Sequence, residues 1–200
     1  MNDGPRSTSE EKLAIREKLD ALVKANPWLT HNQLMSRLRS IRNENASGKV
    51  KRSRFVQIGK EIDEAIAPFA PCRQGCSHCC NGHTLLFRHE AEVLARVSGR
   101  AMAHVPPPTY EDVQRQSQFR FAPCPFLADG ACSVYEHRPL ACRLTHSLNE
   151  TADACITVDG SPGKVNTFEV NILTQAYDEL AEKIDYTDTV GAILEFFPPK

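Results

Sequence analysis

Four cysteines fall within nine residues, Cys72-Arg73-Gln74-Gly75-Cys76-Ser77-His78-Cys79-Cys80, and four more follow at Cys124, Cys132, Cys142 and Cys155. None lies before position 72 or after 155. Two or three residues between thiols let the sulfurs of one turn converge on a single ion, and Gly75 relaxes the backbone just before Cys76. The wider separations of the second group suit ligands delivered from different turns. Eight thiolates can fill two tetrahedral zinc sites. They can equally hold one [4Fe-4S] cluster with four sulfurs and leave four for a second site or for structure. The neighbours Cys79 and Cys80 point in different directions in any regular backbone, so they are expected to serve different ions, or one of them to stand behind the other. Cys155, the most remote, has a competing reading as a small buried hydrophobe. Thiolates accumulate negative charge, and Arg73, His78, Arg138, Arg143 and His146 stand close by in sequence to offset it. His78, His83 and His146 are themselves able to bind zinc. With eight cysteines available, they are expected at the surface or behind the ligands rather than on the metal.

The short motifs around the second group are Cys124-Pro125-Phe126-Leu127, Cys132-Ser133-Val134-Tyr135-Glu136 and Arg138-Pro139-Leu140-Ala141-Cys142-Arg143. Together with Cys72-x3-Cys76-x2-Cys79-Cys80 they resemble the YkgJ-type cysteine-cluster family (CxxCxxCC), described as a zinc- or iron-chelating domain. The resemblance covers about residues 72–155 and implies metal binding through all eight cysteines, without implying a particular reaction. Flagellin lysine N-methylases carry a similar cluster, which the resemblance suggests holds iron-sulfur, but they are larger proteins. The spacing C-x3-C-x2-C also occurs in the cluster loop of radical-SAM enzymes. Those enzymes are built from repeated strand-helix units, and no such series is legible here.

The elements that must position these cysteines begin with about seventy residues that read as helices. Ser7-Thr8-Ser9-Glu10 offers a capping box, Ile15, Leu19 and Leu22 form an apolar stripe, and Asn26-Pro27 ends it. Thr30 offers a second cap ahead of Leu34, Leu38 and Ile41. After a polar break from Asn43 to Gly48, a helix over about 51–67 carries Phe55, Ile58, Ile62 and Ile66 on one face and ends near Pro68. Thr84-Leu85-Leu86-Phe87 reads as a brief strand, followed by a helix closed by Gly99. Pro106-Pro107-Pro108 marks an extended piece, and a short helix is expected from Thr109 toward Gln118. From 122 to 165 neither period persists. Metal ligation is the expected organiser of that stretch. Val170, Leu173, Tyr177, Leu180 and Ile184 return at helical spacing.

The global balance adds little. With 24 Lys and Arg against 25 Asp and Glu in 200 residues, the net charge of -1 demands neither nucleic acid nor anionic lipid. No long apolar run supports a membrane span, and the start lacks the apolar stretch of a secretory signal, so a cytoplasmic location is expected. At 8 of 200 residues the cysteines are well below the roughly 8–10% of secreted disulfide scaffolds. In a reducing compartment grouped thiols favour metal. Residues 37–60 carry eight Lys and Arg against Glu44 alone. A nucleic-acid footprint there competes with a solvated helical face, which is the simpler reading because no aromatics interleave with the charges. No nucleophile elbow, P-loop or dinucleotide fingerprint is present.

The expectation is therefore a small, mainly α protein whose cysteine-rich, metal-organised domain has irregular central loops between N- and C-terminal helices. Residues 1–70 form the helical N-terminal region, 71–160 the metal-binding domain and 161–200 helices packing on it. The partner is a metal ion, zinc or iron, bound by Cys72, Cys76, Cys79, Cys80, Cys124, Cys132, Cys142 and Cys155. A protein partner is also open. Two further functions stay open: an iron-sulfur redox protein or enzyme related to the methylases, and a zinc-stabilised module that binds nucleic acid or protein.

Overall fold

The computed structural model describes residues 9–81, 84–106, 119, 122–155, 167–169, 173 and 190–199. Helix α1 (Ser9–Ala25) has Glu10 and Glu11 in its first turn and Lys24 in its last, the signs that suit the helix dipole. Asn26, restricted by Pro27, ends it, and Pro27–Leu29 forms a 3-10 turn. Helix α2 (His31–Asn43) starts after Thr30. The Thr30 hydroxyl, expected to cap α2, instead donates to the carbonyl of Pro27 at 3.0 Å and closes the preceding turn. Helix α3 (Gly48–Ile66) begins three residues before the expected position, because the Ser47 hydroxyl accepts the Val50 amide at 3.4 Å and caps it there.

The stripes expected on α2 and α3 become a core, whereas of the α1 stripe only Leu22 is buried in it and Ile15 and Leu19 are half-buried. Leu22, Leu34, Leu38, Ile41, Phe55, Ile58, Ile62 and Ile66 are buried together, joined by Phe87, Leu140, Leu144 and Leu173 from later in the chain. Helix α3 thus packs on the short helix α5 (Leu140–Leu144), with Gly59 facing the Leu140 side chain.

A second core forms around strand β1 (Leu85–Phe87) and helix α4 (Arg88–Ser98). Gly99 ends α4 at φ 69°, a left-handed cap that glycine adopts without a Cβ penalty. Strand β1 pairs antiparallel with β6 (Val190–Ala192), Leu86 opposite Gly191, and β6 runs into helix α6 (Ile193–Phe196). Phe126, Val134, Ile193, Phe196 and Phe197 fill this core, and the Phe126 and Phe197 rings meet edge to face at 4.8 Å.

Within the aperiodic stretch the chain holds small ordered pieces. Strands β2 (Leu127–Ala128) and β3 (Ala131–Cys132) make a hairpin through Asp129 at φ 50° and Gly130 at φ 76°. Positive φ at both positions matches the twist of the strands, and Asp-Gly is a favoured pair for it. Strand β4 (Thr145–Ser147) follows α5 directly and pairs with β5 (Thr167–Glu169).

The described part of 161–200 contains strands β5 and β6, the single-turn helix α6 and Leu173 in helical conformation. The helix expected over Val170–Ile184 lies outside the described residues except at Leu173, which is fully buried in the first core. The helix expected from Thr109 to Gln118, and Pro107 and Pro108, also lie outside them. Among the described residues no helix is long and apolar enough to cross a membrane. Mainly α is the architecture, with three two-stranded ladders among the described residues.

Candidate metal centre

The end of α3 delivers the chain through a 3-10 turn (Ala67–Phe69) to Cys72. The Cys72 sulfur accepts the Ser147 amide at 3.3 Å, which ties the first cysteine to β4. A turn follows in which the Cys76 amide donates to the Arg73 carbonyl at 3.0 Å with Gly75 at φ 90°. Nothing lies within 4 Å of a Cβ built on Gly75, so the requirement for glycine there is conformational and not spatial. Cys79 and Cys80 sit on a 3-10 turn (His78–Asn81), held by the Cys80 amide on the Ser77 carbonyl at 3.0 Å.

The second group closes on the first. The Cys124 amide donates to the Cys80 carbonyl at 2.6 Å, and the Leu127 amide to the Cys124 carbonyl at 3.0 Å, so the turn that leads into the β2–β3 hairpin starts at Cys124 and is anchored on Cys80. Cys132 lies opposite Leu127 in that hairpin. Cys142 rides in α5, its amide on the Pro139 carbonyl at 3.0 Å. Cys155 ends a 3-10 turn (Ala152–Cys155) that packs on the His78–Asn81 turn. All eight cysteines are free thiols.

Their proton affinities register this crowding. Burial pushes the Cys72, Cys124, Cys142 and Cys155 thiols up, and neighbouring sulfurs push them further. The neighbouring Cys80 thiol raises Cys79. Cys72 feels Cys76, Cys79 and Cys155, whereas Cys142 feels Cys79, Cys124 and Cys132. Arg138 acts on Cys79 and Arg100 on Cys124 as opposing positive charges. The Arg100 guanidinium also donates to the Pro125 carbonyl and lies over the Phe126 ring at 5.5 Å.

Beside the thiols lies a buried charge network that the sequence reading missed. Asp63, on α3, accepts from the Arg138 guanidinium, from Arg143 Nη1 at 3.2 Å and from His146 Nε2 at 2.9 Å. Burial alone raises the Asp63 carboxyl, but the His146 hydrogen bond and the Arg138 charge outweigh it and hold it below its ordinary range. An ionised carboxyl there places the proton on His146 Nε2 and leaves Nδ1 without a partner among the described residues. Arg138 lies over the Tyr135 ring at 3.8 Å, and Arg143 also donates to the Glu136 and Arg138 carbonyls at 2.5 and 3.1 Å. Glu90 was missed as well. It is buried and takes the Phe87 and Leu140 amides at 3.0 and 2.9 Å. Asp63 and Glu90 looked like ordinary helix acids. The one signal for Asp63 was its place beside Ile62 and Ile66 on the buried edge of the stripe.

The structure separates the expected charge partners. Arg138, Arg143 and His146 all engage Asp63, Arg138 also acts on Cys79 as a positive charge, and Arg73 is exposed. His78 is half-buried on the 3-10 turn, and His83 lies outside the described residues. His146 is 4% exposed, so of the two expected placements the surface one does not hold. The basic stripe lies on α2 and α3, where Arg37 pairs with Glu61 at 2.7 Å, Arg54 pairs with Glu44, and Lys51 donates to the Arg42 carbonyl at 2.7 Å.

Sulfur donors in this number suit zinc or iron, and hard cations would require oxygen ligands that the cysteine turns do not supply. Among the described residues no three Cys, His, Asp or Glu side chains converge at ligand separations. The thiols are gathered and not yet closed on one point. No curated protein and no solved structure matches the chain. Residues 71–162, just under half of the chain, match the model of the family CxxCxxCC, "Putative zinc- or iron-chelating domain", and every cysteine of the chain falls within that segment.

Proposed function

We propose that the protein is a chelator of zinc or iron whose ligands are the eight cysteines, and that the ion completes the order of the central segment. One observation carries this reading: eight free thiols are supplied from separate turns between Cys72 and Cys155, with the turn ending at Cys155 packed on the one carrying Cys79 and Cys80 and the Cys124 amide on the Cys80 carbonyl. Neutral thiols held together in a partly buried place are poised for a cation. Binding expels their protons, replaces thiol repulsion by attraction to the metal, and adds binding free energy to folding. The surroundings suit this role. Arg138 and Arg100 offset excess thiolate charge, and Asp63 fixes Arg138 in place. A reducing compartment such as the cytoplasm keeps the sulfurs available.

The test is purification without oxygen, followed by elemental analysis and visible absorption. Stoichiometric zinc in a colourless sample is the expected result for a structural chelator. Iron with matching acid-labile sulfide in a brown sample assigns the domain to iron-sulfur chemistry and directs attention to its reduction potential. A reduced, folded protein that takes up neither metal overturns the proposal.

A further inference from the structure

We infer that the groove where the Pro27–Leu29 turn meets α2 and α3 is a docking site for a lysine side chain of a partner protein. It uses none of the cysteines, so it stands or falls apart from metal binding. The groove holds about 490 Å³ between Asn26, Trp28, Arg37, Glu61, Glu64 and Ala65, within the roughly 300–1,000 Å³ range of ligand sites. Trp28, the single tryptophan of the chain, is half-buried against the first core. Arg37 lies over its ring at 5.1 Å and pairs with Glu61 at 2.7 Å, whose second oxygen takes the Gln57 side-chain amide at 3.5 Å. Those groups satisfy one another.

Glu64 lies outside that set. It is exposed, stands in the last turn of α3, where the carbonyl end of the helix dipole disfavours an anion, and makes no hydrogen bond or ion pair among the described residues. Asp63, its neighbour in the same turn, is accounted for by Arg138, Arg143 and His146. The groove therefore carries one carboxylate in excess of its cation. Asn26 adds an acceptor, because its Nδ2 donates to the Leu22 carbonyl at 3.2 Å and leaves Oδ1 as the remaining polar atom. An indole beside a lone carboxylate and an amide oxygen fits a cation on an apolar stem. A lysine has that form: its methylenes can lie along the ring while the ammonium meets Glu64 and Asn26 Oδ1. Arginine fits less well, because its plane would compete for the ring with the Arg37 guanidinium already over it. A small molecule is normally enclosed over most of its surface, whereas this groove has its excess acid at an exposed position and suits a side chain carried in by another chain.

The test titrates the full reduced chain, as purified and at low salt, with an end-blocked glycine-serine peptide carrying one central lysine. The emission of Trp28 is the signal, and as the single tryptophan it reports the groove alone. A saturable change is expected, and the same peptide with acetyl-lysine, which has lost the charge, should bind several-fold more weakly. Glu64→Gln should weaken binding about 3- to 5-fold, the scale of an exposed ion pair, and Glu64→Lys should abolish it. Glu64 is exposed, so both variants should keep the helicity of the wild type. Glu92→Gln, which removes an exposed acid paired with Arg88 on α4, should leave binding unchanged. No saturable change with the lysine peptide, equal binding of its acetylated form, or undiminished affinity in folded Glu64→Lys overturns the inference. So does n-butylamine binding as tightly as the peptide, which would assign the groove to a free amine.

Discussion

Helix α3 buries Phe55, Ile58, Ile62 and Ile66 as a stripe at helical spacing, whereas the segment from Cys124 to Cys155 buries Phe126, Val134, Leu140, Leu144 and Leu148 with no period behind them. In the helices the hydrophobic pattern, the caps and the proline stop all specify one structure, so apolar burial can order the chain without help from any single polar contact. In the cysteine segment, order comes from points. Lys18 reaches from α1 to the Leu148 and Asn149 carbonyls at 3.0 and 3.1 Å, Asp63 reaches from α3 to two guanidinium groups and an imidazole, and Glu90 reaches from α4 to the Leu140 amide. Besides the apolar packing of α5 on α3, the regular part of the molecule thus holds the irregular part through a few polar side chains.

If that contrast is right, Asp63→Asn is the most damaging single polar change. It leaves Arg138, Arg143 and His146 partly buried around a neutral amide, and breaking a buried charge pair in this way costs about 3–5 kcal/mol. The loss, read from urea unfolding, should be concentrated in the 134–148 segment by amide exchange, with α2 and the first half of α3 protected as before. A shift under about 1 kcal/mol would mean that packing alone orders the segment. Acid supplies the same test in the wild type. The Asp63 carboxyl ordinarily titrates at 3.8 and is lowered in the folded chain, so its contribution is fully present above that pH. It disappears as the pH falls below 3.8 and through the lower native value. The wild type and Asp63→Asn should therefore converge in stability in strong acid, and a gap that persists would assign the effect of the substitution to packing.

The same contrast explains what could be read from the sequence. The three N-terminal helices, β1 and α4 with its Gly99 stop were legible because repetition and capping are local properties. The Asp129-Gly130 hairpin was written locally too, but it is only two residues long on each side and sits among prolines and cysteines that drew the reading toward metal as the sole organiser. Pairing of β1 with β6 joins residues more than a hundred positions apart, and no periodicity in Leu85–Phe87 names Val190–Ala192 as its partner. The cysteines were legible as a set from their spacing. Their surroundings were not, because a buried Asp63 and an exposed helix acid look alike until Arg138, Arg143 and His146 are folded against one of them.

A smaller effect is expected where the two regions touch through packing. A Cβ on Gly59 would press into the Leu140 side chain, whose Cδ2 already fills the space between α3 and α5. Gly59→Ala gains helix propensity but overpacks a buried contact, and the net loss should be about 1–3 kcal/mol. The substitution Leu140→Val makes room. The double variant should recover part of what the single one loses, a coupling that distant sites would not show. Independent, additive losses would mean that α3 and α5 do not meet directly at Gly59.

The smallest effect belongs to a contact confined to the helical region. Ser47→Ala removes the hydroxyl that accepts the Val50 amide at 3.4 Å and starts α3 three residues earlier than its apolar stripe requires. The bond is long and exposed, so the loss should sit near the low end for such caps, about 0.5 kcal/mol. Its consequence should also stay local: faster amide exchange in the first turn of α3, with Phe55 and everything beyond it unchanged, because that face is held by burial and not by the cap. Zinc binding by the cysteines should be the same as in the wild type. If this one exposed hydroxyl instead altered metal affinity, the helical region would be transmitting strain to the thiols through its backbone, and the division between a packed scaffold and a segment held at points would have to be abandoned.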